Sequence, residues 1–174
     1  MKLGIGWTLL LGLSAVAAAA FTDQEMKARF YYDLGPDQVD VTGYPAAAKK
    51  GYELFQVSCG RCHTLARPLN SSLTKREDFE RYVKRMHMKA SKKKGASFSK
   101  DEAAAIIEFL TQDAKVRKIE GKAKFDAQTK EIQERFKLVE AERERLEAQK
   151  ALERAKTQTD PAGVHPQPSP DERR

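Results

Sequence analysis

The chain has 174 residues, 33% of them charged and 8% aromatic, and carries a formal net charge of +7. That length suits one ordinary domain rather than two. The composition argues against a large conventional core along the whole chain, so part of it is extended, disordered or built around a cofactor. The positive surplus points to acidic partners without saying whether they are protein, lipid or nucleic acid.

Met1-Lys2 followed by the apolar run Leu3 to Ala17 and by Ala18-Ala19-Ala20 reads as a signal peptide over 1–20. The competing reading is an uncleaved membrane anchor, since the run is close to the lower limit of about 18 residues for a spanning helix. Both readings place the rest in the periplasm or an equivalent extracytoplasmic compartment, in solution or at the membrane. Residues 21–43, with Phe30-Tyr31-Tyr32 and then Gly35-Pro36, lack a helical period and read as an extended arm that packs its aromatics on the domain.

A domain is expected over 44–114. Pro45 suits a first helical turn and the alanines after it continue the helix, which runs into Cys59 with Gly51 and Phe55 on one face. A glycine there implies close approach by another element. Leu65 to Thr74 reads as a loop, and Lys75 to about Lys89 as a second helix with Phe79, Val83 and Met86 on one face. After the basic loop Ser91 to Gly95, Ser99 and Glu102 form a capping box that opens a third helix, burying Ile106, Ile107, Phe109 and Leu110.

Beyond Asp113 the composition shifts to Lys, Arg, Glu, Gln and Ala. Residues 115–156 read as a long charged helix, a coiled-coil strand with a thin stripe at Phe125, Ile132, Val139 and Leu146. Asp126 with Lys130 and Glu131 with Arg135 are spaced to pair along it. The proline-rich 157–174 reads as a disordered tail. The expected fold class is all-α.

The decisive run is Cys59-Gly60-Arg61-Cys62-His63, a C-x-x-C-H haem attachment sequence. Two thiols about one helical turn apart can add to the porphyrin's vinyl groups. The histidine beside the second can then bind iron as an axial ligand. Two other chemistries compete. A thioredoxin-type dithiol wants a β-strand before the pair and a βαβ setting, whereas here a helix precedes it. A structural zinc site needs four ligands, and beyond these two cysteines and His63 only His87 and His165 remain among the Cys and His residues. For the sixth iron position the candidates sit in Arg85-Met86-His87-Met88. Met86 shares the Phe79 and Val83 face, Met88 points the other way on a continuous helix, and His87 would give a bis-histidine iron. The plain alternative for either methionine is core filling.

On these residues the segment 45 to about 114 resembles a small class I c-type cytochrome domain: a helix with Gly51 and Phe55, the C-x-x-C-H run, and a final helix with Ile107-Glu108-Phe109-Leu110. The resemblance implies a glycine–aromatic crossing of the first and last helices around one covalent haem c. It covers under half of the chain. Many family members place the ligand methionine beside a proline, and none follows Met86 or Met88 here.

The function expected is therefore an exported monohaem cytochrome that passes single electrons between redox partners, free or as a subunit of a larger complex, and not an enzyme by itself. Lys84, Arg85, Lys89, Lys92, Lys93 and Lys94 suit partners with acidic docking faces, or simply form a solvated loop. The 115–156 helix suits docking on a larger membrane-associated assembly. Nucleic acid is not expected, because no aromatic platform interleaves the lysines. The alternative function is a haem-based ligand-binding or sensor protein with an open or displaceable sixth position.

Overall fold

The computed structural model describes residues 21–92 and 97–158. The leader read at 1–20, the basic loop at 93–96 and the tail from 159, with His165, lie outside the described residues. The described residues are helical with no strand among them: α1 (Asp23–Lys27), a 3-10 turn (Tyr31–Leu34), α2 (Ala46–Cys59), α3 (Ala66–Leu69), α4 (Arg76–Ala90), α5 (Lys100–Asp113), a π-helical segment (Ala114–Glu120) and α6 (Lys122–Gln158). The chain is all-α with a long C-terminal helix.

The body is built on the crossing of α2 and α5. Pro45 caps α2 in an extended conformation, and the helix turns Ala48, Gly51, Tyr52 and Phe55 inward at helical spacing. Ser99 accepts from the Glu102 amide at 3.1 Å while the Glu102 carboxylate accepts from the Ser99 amide at 2.6 Å. This box starts α5, whose buried face is Ile106, Phe109, Leu110 and Asp113. The two helices meet at Gly51, where a Cβ would lie 2.1 Å from the Ala105 carbonyl oxygen and 2.9 Å from Phe109 Cβ. Only glycine fits that approach. The Tyr52 and Phe55 rings then stand 4.9 and 5.1 Å from Phe109. α4 adds Phe79 and Val83 to the same core. Each large side chain buried there contributes about 1.5–3 kcal/mol.

The long helix does not begin at residue 115. After Asp113 the backbone widens into the π-helical segment, which ends at Gly121. This wider turn brings the sequence neighbours Arg117 and Lys118 onto one loop. Arg117 donates to both Asp113 carboxylate oxygens at 2.7 Å and to the Leu69 carbonyl at 2.8 Å. Lys118 Nζ donates to the Ser71 and Leu73 carbonyls at 2.7 and 3.1 Å and lies over the Phe79 and Phe125 rings. π-helical turns of this kind are rare and serve to re-aim side chains. α6 then runs for 37 residues, about 55 Å at 1.5 Å per residue.

The arm also departs from the extended form expected of it. Thr22 and Glu25 form a capping box that starts α1, and the Asp33 carboxylate accepts from the Arg29 and Phe30 amides at 2.9 and 3.2 Å to tighten the 3-10 turn. Both pieces pack on α6. The thin stripe is thus partly covered by the chain itself, with Ile132 and Val139 buried and Phe125 and Leu146 half-buried. Two pairings along α6 differ from those read from spacing. Asp126 bonds Lys122 at 2.6 Å, and Arg135 reaches Glu25 at 2.7 Å. A carboxylate presented by a folded arm wins over one on the same helix.

Candidate functional site

A cavity of about 470 Å³ opens between the end of α2, the segment after it, α4 and the arm. This volume lies within the range of small-molecule and cofactor sites. Cys59 arrives on the last turn of α2, and Cys62 and His63 follow in the turn that leads to α3. All three line the cavity, and so does Met86 from α4. α4 brings it there because Tyr82 and Met86 are four apart and share a face, with Arg85 and Lys89 at its edge. The other two candidates for the iron do not line it. Met88 is 52% exposed, and the His87 ring packs edge-on against Phe98 at 5.1 Å with its Nδ1 buried and unpartnered.

His63 Nδ1 lies 2.8 Å from the Thr64 carbonyl oxygen. A carbonyl only accepts, so Nδ1 carries the proton and Nε2 keeps its lone pair, the tautomer a metal-binding imidazole needs. Neither cysteine is in a disulfide. Burial, with the neighbouring Cys62 adding like charge, pushes the Cys59 thiol up to about 12. A disulfide-exchange centre works through a thiolate whose pKa is depressed, so Cys59 has the opposite tuning. Among the described residues no three His, Cys, Asp or Glu side chains converge as a metal-chelating cluster does.

The remaining wall is mostly apolar and aromatic (Phe30, Tyr32, Ala90, Phe98), with two serines (Ser58, Ser71), three cations, Arg67, Arg85 and Lys89, and no acid among the described residues lining it. Arg67 is held from behind. Its Nε and Nη2 donate to the Asp33 carboxylate, each at 2.7 Å. Burial alone would push Asp33 up, but Arg67 and the two backbone amides outweigh it and hold the carboxyl below its ordinary value. The Tyr82 hydroxyl is buried with no hydrogen-bond partner, and burial pushes it up to about 12. An orphaned buried hydroxyl costs about 1–3 kcal/mol, so this one fits a site completed by a polar group of the ligand. The residues present suit an apolar, plate-like molecule with acidic substituents, anchored by two thiols and one imidazole.

Arg67, Tyr82 and the arm residues Phe30 and Tyr32 carried no signal of belonging to the site in the sequence. Tyr82 alone was within reach, standing one turn before Met86 on the face already read as inward. No helix among the described residues is long and apolar enough to cross a membrane. Comparison with protein-family models, with curated proteins and with solved structures finds no match.

Proposed function

We propose that the protein is an exported monohaem c-type cytochrome that passes single electrons between redox partners, free or within a larger assembly. The observation that carries this reading is the placement of Cys59, Cys62, His63 and Met86 on the wall of one cavity. Cys59 and Cys62 would hold the haem as thioethers, and His63 Nε2 and Met86 would bind its iron. Arg67, Arg85, Lys89 and the Tyr82 hydroxyl would be available to its carboxylates. When bound, the haem supplies a one-electron couple, and a thioether opposite an imidazole favours a high potential.

The protein's share of the work is positioning and exclusion. The Thr64 carbonyl fixes the imidazole tautomer, the aromatic wall keeps water off the ring, and the cations offset the acid side chains. Arg85 and Lys89 of α4 line the cavity, where they steer a partner with an acidic face into a brief encounter. The capping of Ile132 and Val139 by the arm leaves less of α6 for docking to a membrane-associated assembly than the sequence stripe suggested, and its distal part, from about residue 147, is solvated.

The test is the visible spectrum of the oxidised protein from a host that attaches haem outside the cytoplasm. A haem spectrum with the weak red sulfur-to-iron band, lost in Met86→Ala and kept in Met88→Ala, supports the assignment. A haem spectrum without that band moves the reading to an open site and sensing, and absence of haem refutes it.

A further inference from the structure

The arm is tied at both ends by arginines whose other attachments lie far apart in the chain. At one end, Arg143 of α6 donates to the carbonyls of Met26 at 2.9 Å, Glu25 at 3.0 Å and Ala28, closing the C-terminal end of α1. Eight residues earlier on α6, Arg135 bonds Glu25 at 2.7 Å and lies over the Phe21 ring at 4.3 Å. At the other end, Asp33 grips Arg67 of α3 through two bonds, and Arg67 lies over the Phe30 ring at 5.2 Å. Phe30 stacks on Tyr32 with centroids 5.0 Å apart, and both line the cavity. Arg67 stands four residues after His63, in the segment that carries the cavity's attachment residues.

Only four residues separate Ala28 from Asp33, and Asp33 holds two of them, Arg29 and Phe30, by their amides. There is no slack between the two ties. The Phe30–Tyr32 wall is held by the Arg67 tie and by the packing of the 3-10 turn on α6, and α1, clamped to α6 a few residues away, limits how far it can swing out. The arm's own apolar anchor is small, since Ala28 is the sole buried apolar residue of 21–34 that the structure assigns to its core. Unlike the α2–α5 crossing, it depends on these polar ties for its position.

We infer that Arg143, supported by Arg135, is a positioning residue for the haem site, acting through the arm to keep the Phe30–Tyr32 wall closed over the cavity. The inference rests on the haem reading above. A ligand that needs the wall open binds with an affinity reduced by the fraction of molecules that are open. Cutting the tie raises that fraction without touching a residue of the cavity.

The experiment is imidazole titration of full-length, haem-loaded protein, with the reduction potential measured alongside. Arg143→Ala raises imidazole affinity by about tenfold, equal to a tenfold larger open fraction, and lowers the potential as water reaches the ring. Arg145→Ala is the control: Arg145 bonds Glu142 on its own helix and does not touch the arm. It leaves both readings at the wild-type values. Glu25→Gln, which removes the charge that Arg135 holds, shifts both in the same direction by less and serves where Arg143→Ala does not accumulate. Unchanged imidazole affinity and potential in the haem-loaded Arg143→Ala and Glu25→Gln proteins overturn the inference and leave the haem reading intact. Lack of haem in the wild-type protein overturns the reading on which it rests.

Discussion

The α2–α5 crossing and the arm–α6 seam hold the two sides of the cavity by different physics. At the crossing, contact is apolar and close: Gly51 lets the Ala105 carbonyl approach, and Tyr52, Phe55 and Phe109 interlock. At the seam, two buried apolar side chains of α6 are supplemented by guanidinium groups that clamp backbone carbonyls and a carboxylate. Shape complementarity gives one rigid arrangement. Polar ties at a half-exposed seam are worth less and respond to charge and pH. Cys59, the proposed attachment residue, thus sits on the stiff side, and the Phe30–Tyr32 wall of the cavity sits on the adjustable one.

The largest break to that contrast comes from Gly51→Ala. Overpacking costs about 1–3 kcal/mol and at times more, alanine regains about 1 kcal/mol in helix propensity, and the obstructing atoms are backbone that cannot rotate away. A net loss near the top of the resulting range, about 2 kcal/mol, is expected in denaturant unfolding, with the arm unaffected as a local unit. A pH dependence sharpens the contrast where α5 passes into α6. Burial pushes the Lys118 ammonium from its ordinary 10.5 down to about 7. Between those values the unfolded chain holds a proton that the folded one has released, so stability rises with pH across that window and is flat above it. Lys118→Met removes this slope, and a wild-type profile without any slope relative to that variant contradicts the assignment.

Smaller still is the acid response of the seam. The hydrogen bond from Arg135, with help from the Thr22 amide, lowers Glu25 from 4.5 to about 2. Its stabilising contribution is present above pH 4.5 and is lost as pH falls toward 2. Amide protection factors at residues 25–34, corrected for the intrinsic rate at each pH, should therefore fall on acidification before those of α2 and α5, and Glu25→Gln should lower them already at neutral pH. At the bottom of the scale, Arg145→Ala breaks an exposed ion pair and leaves the melting temperature unchanged within error.

The same contrast explains what could be read in the sequence. The α2 and α5 faces follow from helical spacing and the Ser99–Glu102 box, and the structure has the boundaries within a residue or two. Gly51 announced a close approach because nothing else justifies its cost in a helix. The arm was legible in part: Thr22-x-x-Glu25 is the same kind of capping box as Ser99-x-x-Glu102, but it precedes no apolar period and was passed over. Arg143 on three carbonyls leaves no trace in spacing, since backbone acceptors carry no residue type. The π-helical segment was missed because Ala114 to Glu120 has ordinary helix formers. Its cause is tertiary, the pull of Arg117 and Lys118 toward the carbonyls of residues 69–73. In the candidate site, Cys59, Cys62 and His63 stand out by adjacency in the sequence, and the structure places all three on one cavity wall. The choice among Met86, His87 and Met88 was a question of helix face, and α4 runs unbroken through all three.

The central claim is covalent attachment at Cys59 and Cys62. Its most direct test is the intact mass of the denatured protein from a haem-attaching, exporting host, beside the Cys59→Ser, Cys62→Ser double variant. One haem mass per wild-type chain and none on the variant is the predicted result. A wild-type chain with the bare polypeptide mass contradicts the account.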